Sequence, residues 1–382
     1  MYPVKSIRGV SLQSARATAA GFENDRIFML RRTKDEQNMH VPLFPSMCLF
    51  TTELVPPENP EKILVRFGLN HTFNKPEQTL SDKDGVLEIP VKPDLEGLEQ
   101  VSMVMHNAPT SAFLMPAEMC QWFSDRFGFE VSLLYIGLNK RPVLGSLNPN
   151  APRAYVGDES PKKAAEAPSS SGGWLDNFKT GLGNIVSTVG TYAGMDPYKA
   201  VEDGLTFADI AAYLVSNHKS HLDVEQRVGT EVEEEKFRPN IVVDGAEAAW
   251  EEDYWGEIAV GDEEKGTRIA FTANCARCAS INVDYNTGRM AEGGKGKVLK
   301  SLQSDRRVDP GMKYSPVMGR YGFLSSKYGV RPAEPVTISV GDEVQITKLN
   351  ERRTHFCKLN AIPMVDHIWS AIILHPCGDL YE

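Results

Sequence analysis

The stretch IAVGDEEKGTRIAFTANCARCASINVDYNTG, residues 258–288, decides the fold class. Its runs of Ile, Val, Phe and Ala are short and broken by Gly, Asp and Asn, so it reads as two or three strands joined by turns. FRPNIVVDG (237–245) is a strand entering a turn, and VTISVGDEVQIT (336–347) alternates apolar and polar residues as a half-buried strand does. Short strands this closely spaced favour a barrel over a parallel sheet.

The same stretch contains CARC, with Cys275 and Cys278 three residues apart. The spacing suits a zinc half-site, a redox dithiol or a ligand for another soft metal. A structural zinc site needs four ligands. The sequence has no second such pair, and of its eight histidines only His218 and His221 form a short-spaced couple. A redox dithiol usually sits at a helix N-terminus. Here ASINVDYNTG follows, a strand-and-turn pattern that disfavours it. The plainest alternative is two small buried residues on a strand. Arg277 between them favours an ionised thiolate, a good ligand for a soft or high-valent metal, so that option stays open.

Outward from this region, residues 2–30 read as short strands and turns, and Asp84-Gly85 is a hairpin signal. AEMCQWFSDRFGF (117–129) places Met119, Trp122, Phe123 and Phe127 at helical spacing, closed by Gly128, and EVSLLYIG (130–137) is a strand. Residues 1–138 form a β-rich domain with one helix. GDESPKKAAEAPSSSGG (157–173) has linker composition and opens an insertion over 157–203. Within it, Trp174, Phe178, Leu182, Ile185, Val189 and Tyr192 recur at helical intervals. That pattern over 174–193 fits a loosely packed insertion or an amphipathic helix touching a membrane surface. LTFADIAAYLVSNHKSHLDVEQRV (205–228) gives a short strand or turn and a helix ending near Arg227. Residues 349–382 form a C-terminal extension with no clear period. The expected class is α+β, mostly β.

The net charge of −10 argues against nucleic acid, which needs a basic footprint, but not against a small anion in a local basic pocket. Six scattered cysteines in 382 residues do not make a disulfide scaffold, and MYPVKS is no secretory signal, so an intracellular protein is expected. No apolar run has the length of a transmembrane helix.

Seven segments carry a resemblance. YPVKSIRG (2–9), GFENDRIFML (21–30), FRPNIVVDG, CARCASINVDYNTG (275–288), LKSLQSDRR (299–307), PVMGRYG (316–322) and SVGDEVQI (339–346) occur in family order. Together they resemble the MOSC proteins, in which an N-terminal β-barrel-type domain precedes a β-barrel-like MOSC domain, here expected over 204–348. Amidoxime-reducing components and the C-terminal part of molybdenum cofactor sulfurases have this arrangement. The resemblance implies a molybdenum cofactor with a terminal phosphate. Cys278 matches the family's molybdenum-ligating thiolate, and Cys275 a non-ligating neighbour. Lys5, Ser6, Arg26, Arg238 and Asn240 lie within these motifs, and their cations, hydroxyl and amide suit the phosphate and pterin that the resemblance implies. A surface salt bridge is the plain alternative for Lys5, Arg26 and Arg238 taken singly.

The implied activity is oxygen removal from small N-oxygenated substrates, with electrons from a b-type cytochrome and its flavin reductase; a cofactor carrier or sensor without turnover is the alternative. A zinc- or dithiol-stabilised protein without molybdenum is a third. Pyridoxal phosphate is not expected, because no desulfurase region is present. The implied location is cytoplasmic or at the mitochondrial outer membrane. The chain departs from the amidoxime reducers at FADIAAYLV (207–215), where Ile210 and Ala211 replace a Thr-Ser pair and its hydroxyl contacts.

Overall fold

The computed structural model describes residues 1–68, 85–106, 108–143, 204–261, 267–325 and 335–356. The insertion at 157–203 with its helical pattern, Asp84 of the hairpin signal, Cys357 and Cys377 lie outside the described residues.

The first half contains β1 (Ser14–Thr18), β2 (Gly21–Phe22), β3 (Phe28–Arg32), β4 (Gln37–Asn38), β5 (Phe50–Val55), β6 (Lys62–Phe67), β7 (Val86–Pro90), β8 (Gln100–Met105), β9 (Ala108–Leu114), helix α1 (Ala117–Phe127) and β10 (Val131–Tyr135). Strands β4-β3-β10-β9-β8 form one sheet and β5-β6-β7 another. Helix α1 forms because its apolar face packs on the Phe50 cluster, where Phe123 and Phe127 lie 5.5 and 4.9 Å from the Phe50 ring. It stops at Gly128, whose left-handed φ of 75° lets its N–H close onto the Ser124 carbonyl.

The second half contains β11 (Tyr213–Asn217), α2 (His218–Val228), β12 (Ile241–Val243), β13 (Trp255–Val260), β14 (Thr267–Ala276), β15 (Val283–Asp284), β16 (Arg289–Met290), α3 (Val298–Gln303), β17 (Val317–Ser325), β18 (Val336–Ser339) and β19 (Val344–Leu349). Its six-stranded sheet runs β12-β11-β17-β14-β13-β19, antiparallel at every pairing except β11 with β12. The fold is mostly β, built of half-barrel sheets, as the strand spacing predicts. Strand β17 lies at the centre and is buried on both faces, with Phe323 and Tyr321 entering a core shared with Tyr213, Ile269 and Phe271.

Two local expectations change. VTISVGDEVQIT is two strands rather than one. Gly341, with a φ of +94°, turns the chain, and Asp342 accepts a hydrogen bond from the Ser339 N–H at 2.8 Å. Strand β18 leaves the large sheet and pairs with β1 (Ser14 opposite Ser339), joining the two ends of the described chain. The residues after CARC begin not as a strand but as a 3-10 turn, Ala279–Asn282, with Cys278 at its N-cap. The turn forms because Ile281 packs into a small core with Val298, Leu302 and Met318.

Candidate functional site

A cleft of about 560 Å³, part of it open to solvent, lies where the two halves meet. The C-terminal end of β14 supplies Cys275, and the chain just beyond it supplies Cys278. The turn before β12 gives Arg238 and Asn240, the loop after β2 gives Arg26, and the loop before β11 gives Asp209. A roomier hollow beside Trp250, Tyr254 and Arg353 contains no cysteine, and its arginines Arg306 and Arg353 are already spent on Asp253. Chemistry therefore selects the cleft.

The two cysteines face different worlds. Strand alternation turns Cys275 into the core, 3% exposed, whereas Cys278 lies past the end of β14, at the start of the 3-10 turn, and is exposed. Burial pushes the Cys275 thiol above its ordinary range despite the pull of Arg277, so it stays protonated. The Cys278 sulfur has a hydroxyl neighbour, Ser280 Oγ at 3.2 Å. Arg277 is buried and donates to the carbonyls of Met318 (2.9 Å from Nε) and Phe237 (2.6 Å). It ties the chain after β14 to Met318 of β17 and leaves a fixed positive charge near the Cys275 sulfur.

Arg26 and Arg238 both lie over the Tyr2 ring, with guanidinium carbons 4.9 and 4.2 Å from its centroid. Arg26 ion-pairs with Asp25 and donates to Asn240 Oδ1 at 3.1 Å. Asn240 in turn accepts from the Leu214 N–H at 3.0 Å and donates to Asp25 at 3.0 Å. Its amide is thus engaged within the protein, and it serves the cleft by holding Arg26. Arg238 gives Nη1 to the Ile7 carbonyl at 2.8 Å, while its Nη2 is buried with no hydrogen-bond partner. An unpaired buried donor on a cation is costly unless an anion completes it.

Lys5 and Ser6 stand behind this wall rather than lining it. Lys5 is buried, ion-pairs with Asp209 and donates to the Phe207 carbonyl at 3.2 Å. Burial lowers its basicity, and Asp209 partly opposes that. Burial alone would raise the Asp209 carboxyl, but Lys5 and His106 outweigh it and hold Asp209 well below the usual carboxylate range. Its side chain keeps 50% of its surface open, so the carboxylate faces the cleft as a charge. Ser6, Arg26 and Arg238 all take left-handed φ values, 66°, 52° and 53°. Such strain in non-glycine residues concentrates where the surroundings impose a functional geometry.

The sequence-predicted set therefore converges in part. Arg26, Arg238, Asn240 and Cys278 line one cleft, and Lys5 reaches it through Asp209. Sequence reasoning missed Asp209, Ser280 and Tyr321 as lining residues. Asp209 lies in FADIAAYLV, directly ahead of a central strand, and Tyr321 in PVMGRYG, so the motifs were in view but not the direction of their side chains. Ala211 lines the wall where the expected hydroxyls are missing; the hydroxyls present are those of Ser280 and Tyr321. No group of three or more His, Cys, Asp or Glu converges as a metal cage among the described residues. His218 and His221 instead lie against Glu234 and Glu225, at 3.5 and 3.4 Å.

The MOSC N-terminal beta barrel domain family matches residues 1–130, and the MOSC domain family matches residues 202–345. Human mitochondrial amidoxime-reducing component 1 is 32% identical over 149 residues, 38% of this chain and 40% of that protein. The Macaca fascicularis mitochondrial amidoxime reducing component 2 is 30% identical over 173 residues, 43% of this chain and 49% of its own length. The molybdenum cofactor sulfurase of Arabidopsis thaliana is 27% identical over 154 residues, 38% of this chain and 17% of that protein. The chain thus spans less than half the length of each of these relatives. Among the described residues no helix is long and apolar enough to cross a membrane.

Proposed function

This chain is a member of the MOSC family, and we propose that it is a molybdenum-cofactor-binding oxidoreductase that removes oxygen from N-hydroxylated substrates. The observation that carries the reading is the buried, unpartnered Nη2 of Arg238, held beside Arg26 in the same cleft as the exposed Cys278. Two fixed guanidinium groups suit a phosphate, and a lone accessible sulfur suits a metal that brings its remaining ligands with it. When bound, the cofactor supplies a reduced metal able to take an oxygen atom from an N–O bond.

The chain's own residues do the rest. Cys278 offers the metal one thiolate. Arg26 and Arg238, stacked on Tyr2 and braced by Asp25 and Asn240, hold the phosphate without having to reorganise. Ser6 and Lys5 support that wall from behind. Ala208, Ala211, Leu214 and Phe237 give the cleft its apolar side, and Asp209 is the acid–base group facing it. Electrons come from outside the chain, by likeness to the family from a b-type cytochrome and its flavin reductase. The location that goes with this reading is intracellular, at or near mitochondria, where two of the relatives are named.

The test is reduction of benzamidoxime by molybdenum-loaded protein with reduced methyl viologen as donor. Turnover that disappears in Cys278→Ala while pterin is retained supports the enzyme. Bound cofactor without turnover makes the protein a carrier.

A further inference from the structure

The turn between β8 and β9 carries His106, with a left-handed φ of 51°. Its Nε2 lies 3.2 Å from Asp209 Oδ1, the oxygen that also takes the Lys5 ammonium, and its side chain is 37% exposed. The contact is braced on both sides. Buried Arg141 donates to the carbonyl of Met105, next to His106, at 3.3 Å and to that of Asp209 at 3.1 Å. His106 therefore connects solvent to a carboxylate that lines the cleft.

We propose that His106 is the proton-relay residue of this cleft, passing protons from solvent through Asp209 to the substrate N–OH group, whose oxygen leaves as water. The inference rests on the reductive reading above, whose reaction consumes protons: R–C(NH2)=N–OH plus two protons and two electrons gives R–C(NH2)=NH plus water. The electrons come from a haem or chemical one-electron donor. For each proton, the His106 Nε2–H bond breaks as an O–H bond forms on Asp209, leaving neutral imidazole. The carboxylic acid then releases its proton and returns to carboxylate. The first proton goes to the substrate hydroxyl oxygen, which leaves as water, and the second to the nitrogen left behind as =NH, while the imidazole takes its next proton from solvent.

The groups facing His106 fit this direction of travel. They are Asp209, Lys5, Arg141 and His40. Lys5 and Arg141 are committed to Asp209 and to backbone carbonyls. His40 is disfavoured as a cation, first by burial and then by Lys5. A carboxylate held low by Lys5 and His106 is a short-lived, strong acid once protonated, so a proton that reaches Asp209 is passed on rather than kept.

The test compares His106→Ala and His106→Gln with wild type. Molybdenum, pterin and thermal midpoint are measured first, then kcat and KM for benzamidoxime over roughly pH 6 to 8, the range in which imidazoles titrate. The expected result is a kcat lowered about 10²-fold, the low end for acid–base catalysis, with KM and cofactor content unchanged. Added imidazole should restore part of the kcat of His106→Ala. In the metal-free protein, the His106 ring signals should titrate at lower pH in Asp209→Asn than in wild type.

Unchanged kcat in both variants with active wild type, or failure of imidazole to rescue, overturns the relay and leaves the enzyme reading intact. Turnover lost in proportion to molybdenum and pterin makes His106 a structural residue and overturns it too. Identical titration of His106 in Asp209→Asn removes the coupling. A wild type that holds the cofactor without turnover overturns both readings.

Discussion

Arg141→Met removes the side chain that makes four hydrogen bonds to backbone carbonyls in and beside the Asp209 loop. Arg141 is 1% exposed, and its guanidinium donates to the carbonyls of Thr206 (3.1 Å), Met105 (3.3 Å), Asp209 (3.1 Å) and Ala208. Hydrogen bonds from a charged donor contribute roughly 1.5 kcal/mol each at the low end, about 6 kcal/mol for the set. Burial lowers the guanidinium from 12.5 to about 10, a desolvation cost of about 3 kcal/mol that the methionine avoids. The net expectation is a loss of about 3 kcal/mol, since the methionine fills much of the volume but leaves the carbonyls unpaired. Urea unfolding measures the loss, and hydrogen exchange locates it. Residues 205–211 should lose protection while the centre of β17 keeps it. A variant within about 0.5 kcal/mol of wild type, with 205–211 still protected, would refute the reasoning.

Burial pushes the Glu252 carboxyl up to about 7, its bond from Ser220 notwithstanding. A carboxyl raised on folding favours the folded state only while protonated, so this contribution is lost as pH rises from about 4.5 to 7. Glu252→Gln should therefore gain on wild type by up to about 3 kcal/mol between those limits, measured as the pH dependence of the difference in urea stability. Gly319 has a φ of +79°, and a Cβ there would come 2.9 Å from the Val215 carbonyl oxygen and 3.2 Å from Arg277 Nη2. Gly319→Ala should cost about 2–3 kcal/mol by thermal or urea unfolding, and an unchanged midpoint would deny that close approach. Cys275→Ala should cost about 1–2 kcal/mol in stability yet keep its molybdenum, whereas Cys278→Ala should keep its fold and lose the metal; elemental analysis with a melting curve separates them.

What the sequence made legible was local. The apolar spacing in AEMCQWFSDRFGF and its closing glycine define α1, and α2 ends the same way, at Gly229 with a φ of 68°. Both depend on neighbours within a few turns. The split of VTISVGDEVQIT was not legible, because β18 chooses its partner β1 from the far end of the chain. The cleft shows the same division. Motifs marked Arg26, Arg238 and Cys278, but Asp209, His106 and Arg141 meet only after β8, β9 and the loop before β11 are brought together. Asn240 looked like a ligand for a heterocycle by residue type, and packing engages its amide with Arg26, Asp25 and Leu214. CARC reads as a pair by spacing; the end of β14 at Ala276 separates it into a buried thiol on the strand and an exposed one at the start of the following turn.

The most direct measurement of the central claim is the molybdenum, zinc and pterin content of the purified chain, wild type beside Cys278→Ala. Equimolar molybdenum and pterin are expected in wild type, and pterin without molybdenum in the variant. Zinc with neither molybdenum nor pterin would contradict that claim.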